Sequence, residues 1–234
     1  LEVELQRKEP MSIWGIRLLQ VIKVPYFELM SNLLLHICCA GCLCAPLEEL
    51  RSEGLKVHGY FYNPNIHPLL EFRKRLKAVR IFQESDPIEV DYCEEYGLRE
   101  YLSEVNYEGD NRCEDCYRLR LRTTAHHAKA KGFDSFCSTL LFSKQQDHEK
   151  IREMGEQIAE QVGIPFEYRD YRHLCECSQR IAKKKMLYIQ SYCGCIFSEF
   201  ERYENTTRNL YEGWKRKENL ASGNTQKEEK LNCP

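Results

Sequence analysis

The stretch from Leu33 to Pro46, Leu-Leu-Leu-His-Ile-Cys-Cys-Ala-Gly-Cys-Leu-Cys-Ala-Pro, limits what this chain can fold into more than any other. An apolar run of strand length stops at two adjacent cysteines, followed by thiols at Cys42 and Cys44 and a helix expected to open at Ala45 or Pro46. In an open parallel sheet, ligands bind outside the carboxyl ends of the strands. A phosphate-binding loop at that point carries glycines and hydroxyls. This one carries sulfur, which suits soft metals, so the stretch reads as the floor of a metal site.

Cysteine usage supports that reading. The chain has 13 cysteines in 234 residues. A long, helix-rich chain with an odd count is a poor disulfide scaffold and fits a reducing, cytoplasmic setting in which thiolates hold metal. Three clusters stand out: Cys38, Cys39, Cys42 and Cys44; then Cys113 and Cys116; then Cys193 and Cys195 around Gly194. The second pair opens a helix, where free amides and the positive dipole end favour thiolate. Gly194 allows a tight turn that aims its two flanking sulfurs at one centre. Cys93 and Cys137, single and among apolar neighbours, read as core, and Cys233 as a bystander. Cys44, Cys175 and Cys177 fall between core and ligand. Seven thiolates exceed what one tetrahedral zinc needs, and all-thiolate sites suit zinc and iron–sulfur clusters alike.

Strand and helix patterns alternate along the chain. Strands are expected at Leu33 onward, Lys56 to Tyr62, Ile88 to Tyr92, Asp134 to Leu141 and Phe166 to Tyr171. Helices are expected at Leu47 to Ser52, Pro68 to Phe82, Leu98 to Leu102, Glu114 to Lys131, Gln146 to Val162, Ser178 to Ile189 and Phe197 to Lys215. The fold class is therefore α/β, a mostly parallel sheet with helices on both faces. Residues 1–29 read as an upstream extension ahead of a start at Met30; their apolar stretch from Ile13 to Leu29 is too short and too charged to span a bilayer. Residues 30–215 form one α/β catalytic domain, and 216–234 a disordered charged tail.

Charge is nearly balanced, 34 Lys and Arg against 36 Asp and Glu, so bulk electrostatics recommend neither nucleic acid nor membrane. RNA contact would fall to local runs: Arg73, Lys74 and Arg75; Arg118, Arg120 and Arg122; Lys183, Lys184 and Lys185. His36, inside the first strand, reads as a satisfied core group. Asn63, Asn65 and His67 follow the second strand at the same sheet edge and are candidates for hydrogen-bonding a substrate base.

Four motifs together resemble the cobalamin-independent epoxyqueuosine reductase family QueH. They are the strand ending in Cys38-Cys39, Asn-Pro-Asn-Ile-His-Pro from Asn63 to Pro68, Arg112-Cys-x-x-Cys-Tyr to Tyr117, and Tyr188-x-Gln-x-Tyr-Cys-Gly-Cys to Cys195. The resemblance covers about residues 33 to 200. It implies an adenine nucleotide alpha-hydrolase-like fold, a [4Fe-4S] cluster with an adjacent iron ion, and reduction of the epoxide of epoxyqueuosine to the alkene at the wobble position of tRNA. Carried over by motif, the metal-site residues are Cys38, Cys39, Cys42, Cys113, Cys116, Cys193 and Cys195. Some members carry Asp where this chain has Cys42, which suggests a ligand of the accessory iron. Where the family reads Ser-Pro-x-Gln, this chain has Ser143-Lys144-Gln145-Gln146, which keeps Ser143 and Gln146 as substrate-binding candidates.

Removing an epoxide oxygen as water takes two electrons and two protons. No flavin or nicotinamide fingerprint is visible, so an external electron donor is expected. Asp170 and Tyr117 are the candidates for supplying protons. Two other readings compete: a zinc-thiolate RNA-binding module without catalysis, and an RNA-modifying sulfur transferase of related fold, which would need an ATP phosphate loop after the first strand.

Overall fold

A computed structural model describes residues 31–109 and 111–206. The upstream extension over 1–29, the tail over 216–234 with Cys233, and the far end of the helix expected to reach Lys215 lie outside the described residues. Among these residues, four strands form an all-parallel sheet in the order β3-β2-β1-β4. They are β1 Asn32–His36, β2 Lys56–Phe61, β3 Val90–Tyr92 and β4 Ser135–Ser138. Seven α-helices flank the sheet: α1 Ala40–Ser52, α2 Leu69–Ser85, α3 Leu98–Glu104, α4 Arg112–Lys131, α5 His148–Val162, α6 Cys175–Lys184 and α7 Ile196–Tyr203.

The chain winds from β1 outward to β2 and β3, then returns across β1 to lay β4 on its other side. The reversal puts a switch point, and hence a cleft, at the carboxyl ends of β1 and β4. Leu33, Leu34 and Leu35 are fully buried, as a central strand covered by helices requires. His36 is equally buried: Nε2 donates to the Tyr62 carbonyl at 2.9 Å and Nδ1 accepts from the Ser138 hydroxyl at 2.8 Å. Burial pushes its pKa down to about 3, so it is a neutral pin across three strand ends.

Two expectations need correction. The helix after β1 begins at Ala40, not at Ala45 or Pro46, because Cys39 caps it: extended at φ −170°, its Sγ accepts the Cys42 N–H at 3.3 Å. Pro46 then lies inside the helix, where it removes a donor and crowds the preceding turn. Ser178 of α6 braces the turn before it, accepting the Ala45 N–H at 3.2 Å and donating to the Gly41 carbonyl at 2.7 Å. The strand expected over Phe166 to Tyr171 is reduced to one bridge, Phe136 with Phe166. Its partner edge is short: β4 ends at Ser138 and the chain turns into a 3-10 helix over Thr139–Phe142.

Candidate metal centre

The first group of thiols stands at the switch point. Cys38 leaves β1 and meets Thr139 leaving β4: the Cys38 N–H donates to Thr139 Oγ1 at 3.0 Å, and that hydroxyl donates to Cys38 Sγ at 3.3 Å. The Sγ atoms of Cys38, Cys39 and Cys42 lie within 4.8 Å of one another, the only such trio of potential metal ligands among the described residues. Cys38 and Cys39 sulfurs are 3.8 Å apart. A tetrahedral ion with metal–sulfur bonds of about 2.3 Å has edges of about 3.8 Å, so this spacing fits a single ion. Gln190 Nε2 donates to Cys42 Sγ at 3.4 Å.

The three thiols hold their protons unequally. Hydrogen bonds from the Cys39 and Cys42 thiols, helped by Arg120 and Thr139, hold Cys38 well below the ordinary thiol range despite its burial. Burial raises Cys39, and the Cys38 and Cys39 partners raise Cys42. A Cys38 sulfur that gives up its proton more readily than its two neighbours makes the electron-rich pocket a soft cation requires.

A second group surrounds a larger cavity of about 410 Å³ lined by Cys113, Cys116, Cys193 and Cys195. Cys113 and Cys116 stand in the first turn of α4, and Cys195 caps α7 by accepting the Ser198 N–H at 3.3 Å. Helix amino termini thus face both thiol groups, α1 at the first and α4 and α7 at the second, each favouring anions. Burial pushes Cys116 up to about 12 and raises Cys113 and Cys193, while Arg120 pulls Cys116 and Cys193 the other way. A smaller cavity of about 200 Å³ holds Cys38 and Cys42 and shares Cys193, Gln146 and Tyr192 with the larger one. The donor set fits metal: seven thiols, one trio at single-ion spacing, and four more around a space wide enough for a cluster.

Two buried guanidinium groups tie these parts together. Arg120, 2% exposed, donates to Asn63 Oδ1 at 3.0 Å, and its charge reaches Cys38, Cys116 and Cys193. Arg75, 1% exposed, donates to Glu71 at 2.7 Å and to the carbonyls of Cys193 and Tyr192 at 2.7 and 2.9 Å. Tyr188 donates to the other oxygen of Glu71 at 2.5 Å, so the loop from Tyr188 to Cys195 is locked onto α2. Gly194 at φ +147° lets this loop pass where a Cβ would press on Asn65, Ile66 and Arg75.

The family described as Epoxyqueuosine reductase QueH matches residues 33–201, a span that holds every cysteine of both groups. The chain belongs to the QueH family. Curated relatives carrying that name include a Dehalococcoides mccartyi protein, 38% identical over 172 residues, covering 74% of this chain and 94% of the relative. A Thermotoga maritima protein is 35% identical over 185 residues, covering 75% of this chain and 94% of its own length. A Haemophilus influenzae protein is 35% identical over 176 residues, with coverages of 72% and 71%. These are oxidoreductases by name, and no helix among the described residues of this chain is long and apolar enough to cross a membrane.

Within this QueH chain the other expected site residues divide. Asn65 lines the larger cavity, 1% exposed, and its Oδ1 has no hydrogen-bond partner among the described residues. Tyr117 lines it too; its hydroxyl oxygen accepts the Asp147 N–H at 3.3 Å, and burial raises its pKa. Ser143 and Gln146 border the smaller cavity, and Gln146 Nε2 donates to Cys193 Sγ at 3.4 Å. Asn63 is spent internally, since its Nδ2 donates to the Ile37 carbonyl at 2.8 Å while Oδ1 takes Arg120. His67 is fully buried against the edges of Tyr96 and Tyr101, and burial lowers its pKa to about 4. Asp170 borders neither cavity: Arg172 binds its carboxylate and holds its pKa at about 2, so it keeps no proton to give.

Cys44 and Cys137 stay out of both groups. Cys44 donates to the Ala40 carbonyl at 3.1 Å, and Cys137 contacts the Tyr171 hydroxyl at 3.5 Å. Sequence reasoning missed Arg75 and Arg120 as residues of the thiol site and counted them in the basic runs to which RNA contact would fall. Their signals were present: Arg75 follows Glu71 by one helical turn, and Arg120 stands between Leu119 and Leu121 in the apolar stripe of α4.

Proposed function

We propose that this chain reduces the epoxide of epoxyqueuosine to the alkene of queuosine in tRNA, using a [4Fe-4S] cluster held by Cys113, Cys116, Cys193 and Cys195 and an iron ion held by Cys38, Cys39 and Cys42. The observation that carries this reading is the pair of adjoining cavities that share Cys193, one with single-ion sulfur spacing and one wide enough for a cluster. Membership of the QueH family supports the substrate. When bound, these groups supply one-electron transfer and polarisation of the epoxide oxygen, with electrons arriving from an external donor.

The protein's own residues bind, orient and donate. Arg120 stabilises anionic charge gathering between the cavities. Asn65 Oδ1, buried without a partner among the described residues, is ready to accept a donor group from the substrate, because an orphaned acceptor costs about 1–3 kcal/mol until it is satisfied. Tyr117 keeps its phenol proton because burial raises its pKa, and its oxygen already accepts from Asp147, which leaves the O–H to donate into the cavity. The balance is one epoxide, two electrons and two protons to one alkene and one water.

The test is anaerobic incubation of the metal-reconstituted protein with tRNA carrying epoxyqueuosine and a low-potential reductant. The expected result is a nucleoside lighter by one oxygen, without ATP, from a brown protein containing iron and acid-labile sulfide. A colourless protein with stoichiometric zinc and no conversion overturns the reading in favour of a zinc-thiolate RNA-binding module. Conversion that requires ATP points instead to the sulfur-transferase class.

A further inference from the structure

Beside the larger cavity, three flat groups lie in a row. The Arg112 guanidinium is 4.8 Å from the centre of the Phe197 ring and is ion-paired to Glu201. Phe197 in turn stacks on Tyr107, with ring centres 6.2 Å apart and planes within 17°. The row is joined to the site, since Arg112 and Glu201 line the cavity and Phe197 lies on α7 next to lining Ser198. Its outer end is open: Tyr107 is 50% exposed.

A core role does not account for this arrangement. A tyrosine placed for burial would not hold half its surface in water, and Tyr107 is carried on a pinned loop, where Asn106 N–H donates to Asp115 at 3.0 Å and its side chain accepts the Glu108 N–H at 3.2 Å. Arg202, exposed at the same cavity, makes no ion pair among the described residues and adds a cation there. Proteins that read single-stranded RNA splay the bases out and stack them on aromatic rings or arginine planes, with cations along the backbone.

We propose that Tyr107 is the stacking platform for the nucleotide next to the modified base. The modified base enters the cavity, its neighbour lies flat on the outer face of Tyr107, and Phe197 and Arg112 back the ring from beneath. This inference rests on the tRNA reading above and adds to it the residue that positions the loop.

The test is steady-state kinetics of the metal-loaded protein on an anticodon stem-loop RNA carrying the epoxide. Tyr107→Ala is expected to raise KM about tenfold, with most of the change in KM rather than kcat, the effect of losing one base–aromatic stack. Tyr107→Phe, which keeps the ring, is expected to restore KM to within about twofold, and both variants to keep the wild-type iron content and visible spectrum. A KM in Tyr107→Ala equal to wild type overturns the proposal, as does an equal rise in Tyr107→Phe. Conversion by the wild type with either of those results removes the stack alone, whereas no conversion by the wild type removes the functional reading and the stack with it.

Discussion

Cys38, Cys39 and Cys42 come from one short stretch running from the end of β1 into the first turn of α1, whereas Cys113, Cys116, Cys193 and Cys195 come from the openings of α4 and α7, far apart in sequence. The local trio is drawn to single-ion spacing by its own cap and by Thr139. The distributed quartet leaves a cavity of about 410 Å³ and depends on Arg75 to hold the loop that carries half of it. A short stretch can fix sulfurs at close range through backbone geometry alone, while a wide site needs long-range clamps. The two groups are therefore expected to fail separately.

The largest expected effect comes from the proposed ligands themselves. Cys116→Ser should abolish acid-labile sulfide, visible absorption and turnover while the protein still binds metal at the trio. Cys42→Ser should do the reverse, keeping sulfide and visible absorption and losing metal equivalent to one ion. Metal and sulfide analysis after anaerobic reconstitution checks both. Loss of sulfide in Cys42→Ser would merge the two groups into one site and break the comparison.

Next in size is the clamp on the quartet. Arg75→Met strands Glu71, 5% exposed, as a buried carboxylate with only the Tyr188 hydroxyl for company. Breaking a buried pair on one side costs about 3–5 kcal/mol. Chemical unfolding of Arg75→Met and of the double variant with Glu71→Gln measures it, and the double variant is expected to recover part of the loss. The trio's counterpart is smaller. Ser178→Ala removes the hydroxyl that bridges the Ala45 N–H and the Gly41 carbonyl in the turn before Pro46, at about 1–3 kcal/mol. If Ser178→Ala destabilised as much as Arg75→Met, α1 would depend on long-range support as heavily as the quartet does.

The same contrast explains what the sequence disclosed. The local group was legible, because a strand ending in Cys-Cys at a sheet edge states its own placement. The parallel sheet was legible from alternation, and the pairing of Cys113 with Cys116 from helical spacing. The start of α1 was not, because a thiol cap at Cys39 and a brace by Ser178 override the poor helix-forming pattern of Gly41 and Pro46. The strand expected at Phe166 failed because only the edge offered by β4 decides pairing, and that edge turns into a 3-10 helix at Thr139. Arg75 and Arg120 look like members of basic runs until tertiary packing buries them; only their apolar neighbours and the Glu71 partner hint otherwise. His67 and Asn63 follow β2 as expected, yet one packs under tyrosines and the other braces Arg120.

The smallest effect belongs to a residue outside both groups. Asp170 has 41% of its side chain exposed, and its carboxylate is bound by the Arg172 side chain and backbone. Because its folded pKa lies at about 2, below the ordinary 3.8, its contribution to stability is present above 3.8 and is lost as pH falls toward 2. Exposure to solvent limits that contribution to less than about 1 kcal/mol. Asp170→Asn is therefore expected to keep turnover and metal content within about twofold of wild type at neutral pH and to converge with wild type in stability below pH 2. A large fall in turnover with unchanged metal content would return Asp170 to the reaction and would mean that the substrate reaches beyond the two thiol-lined cavities.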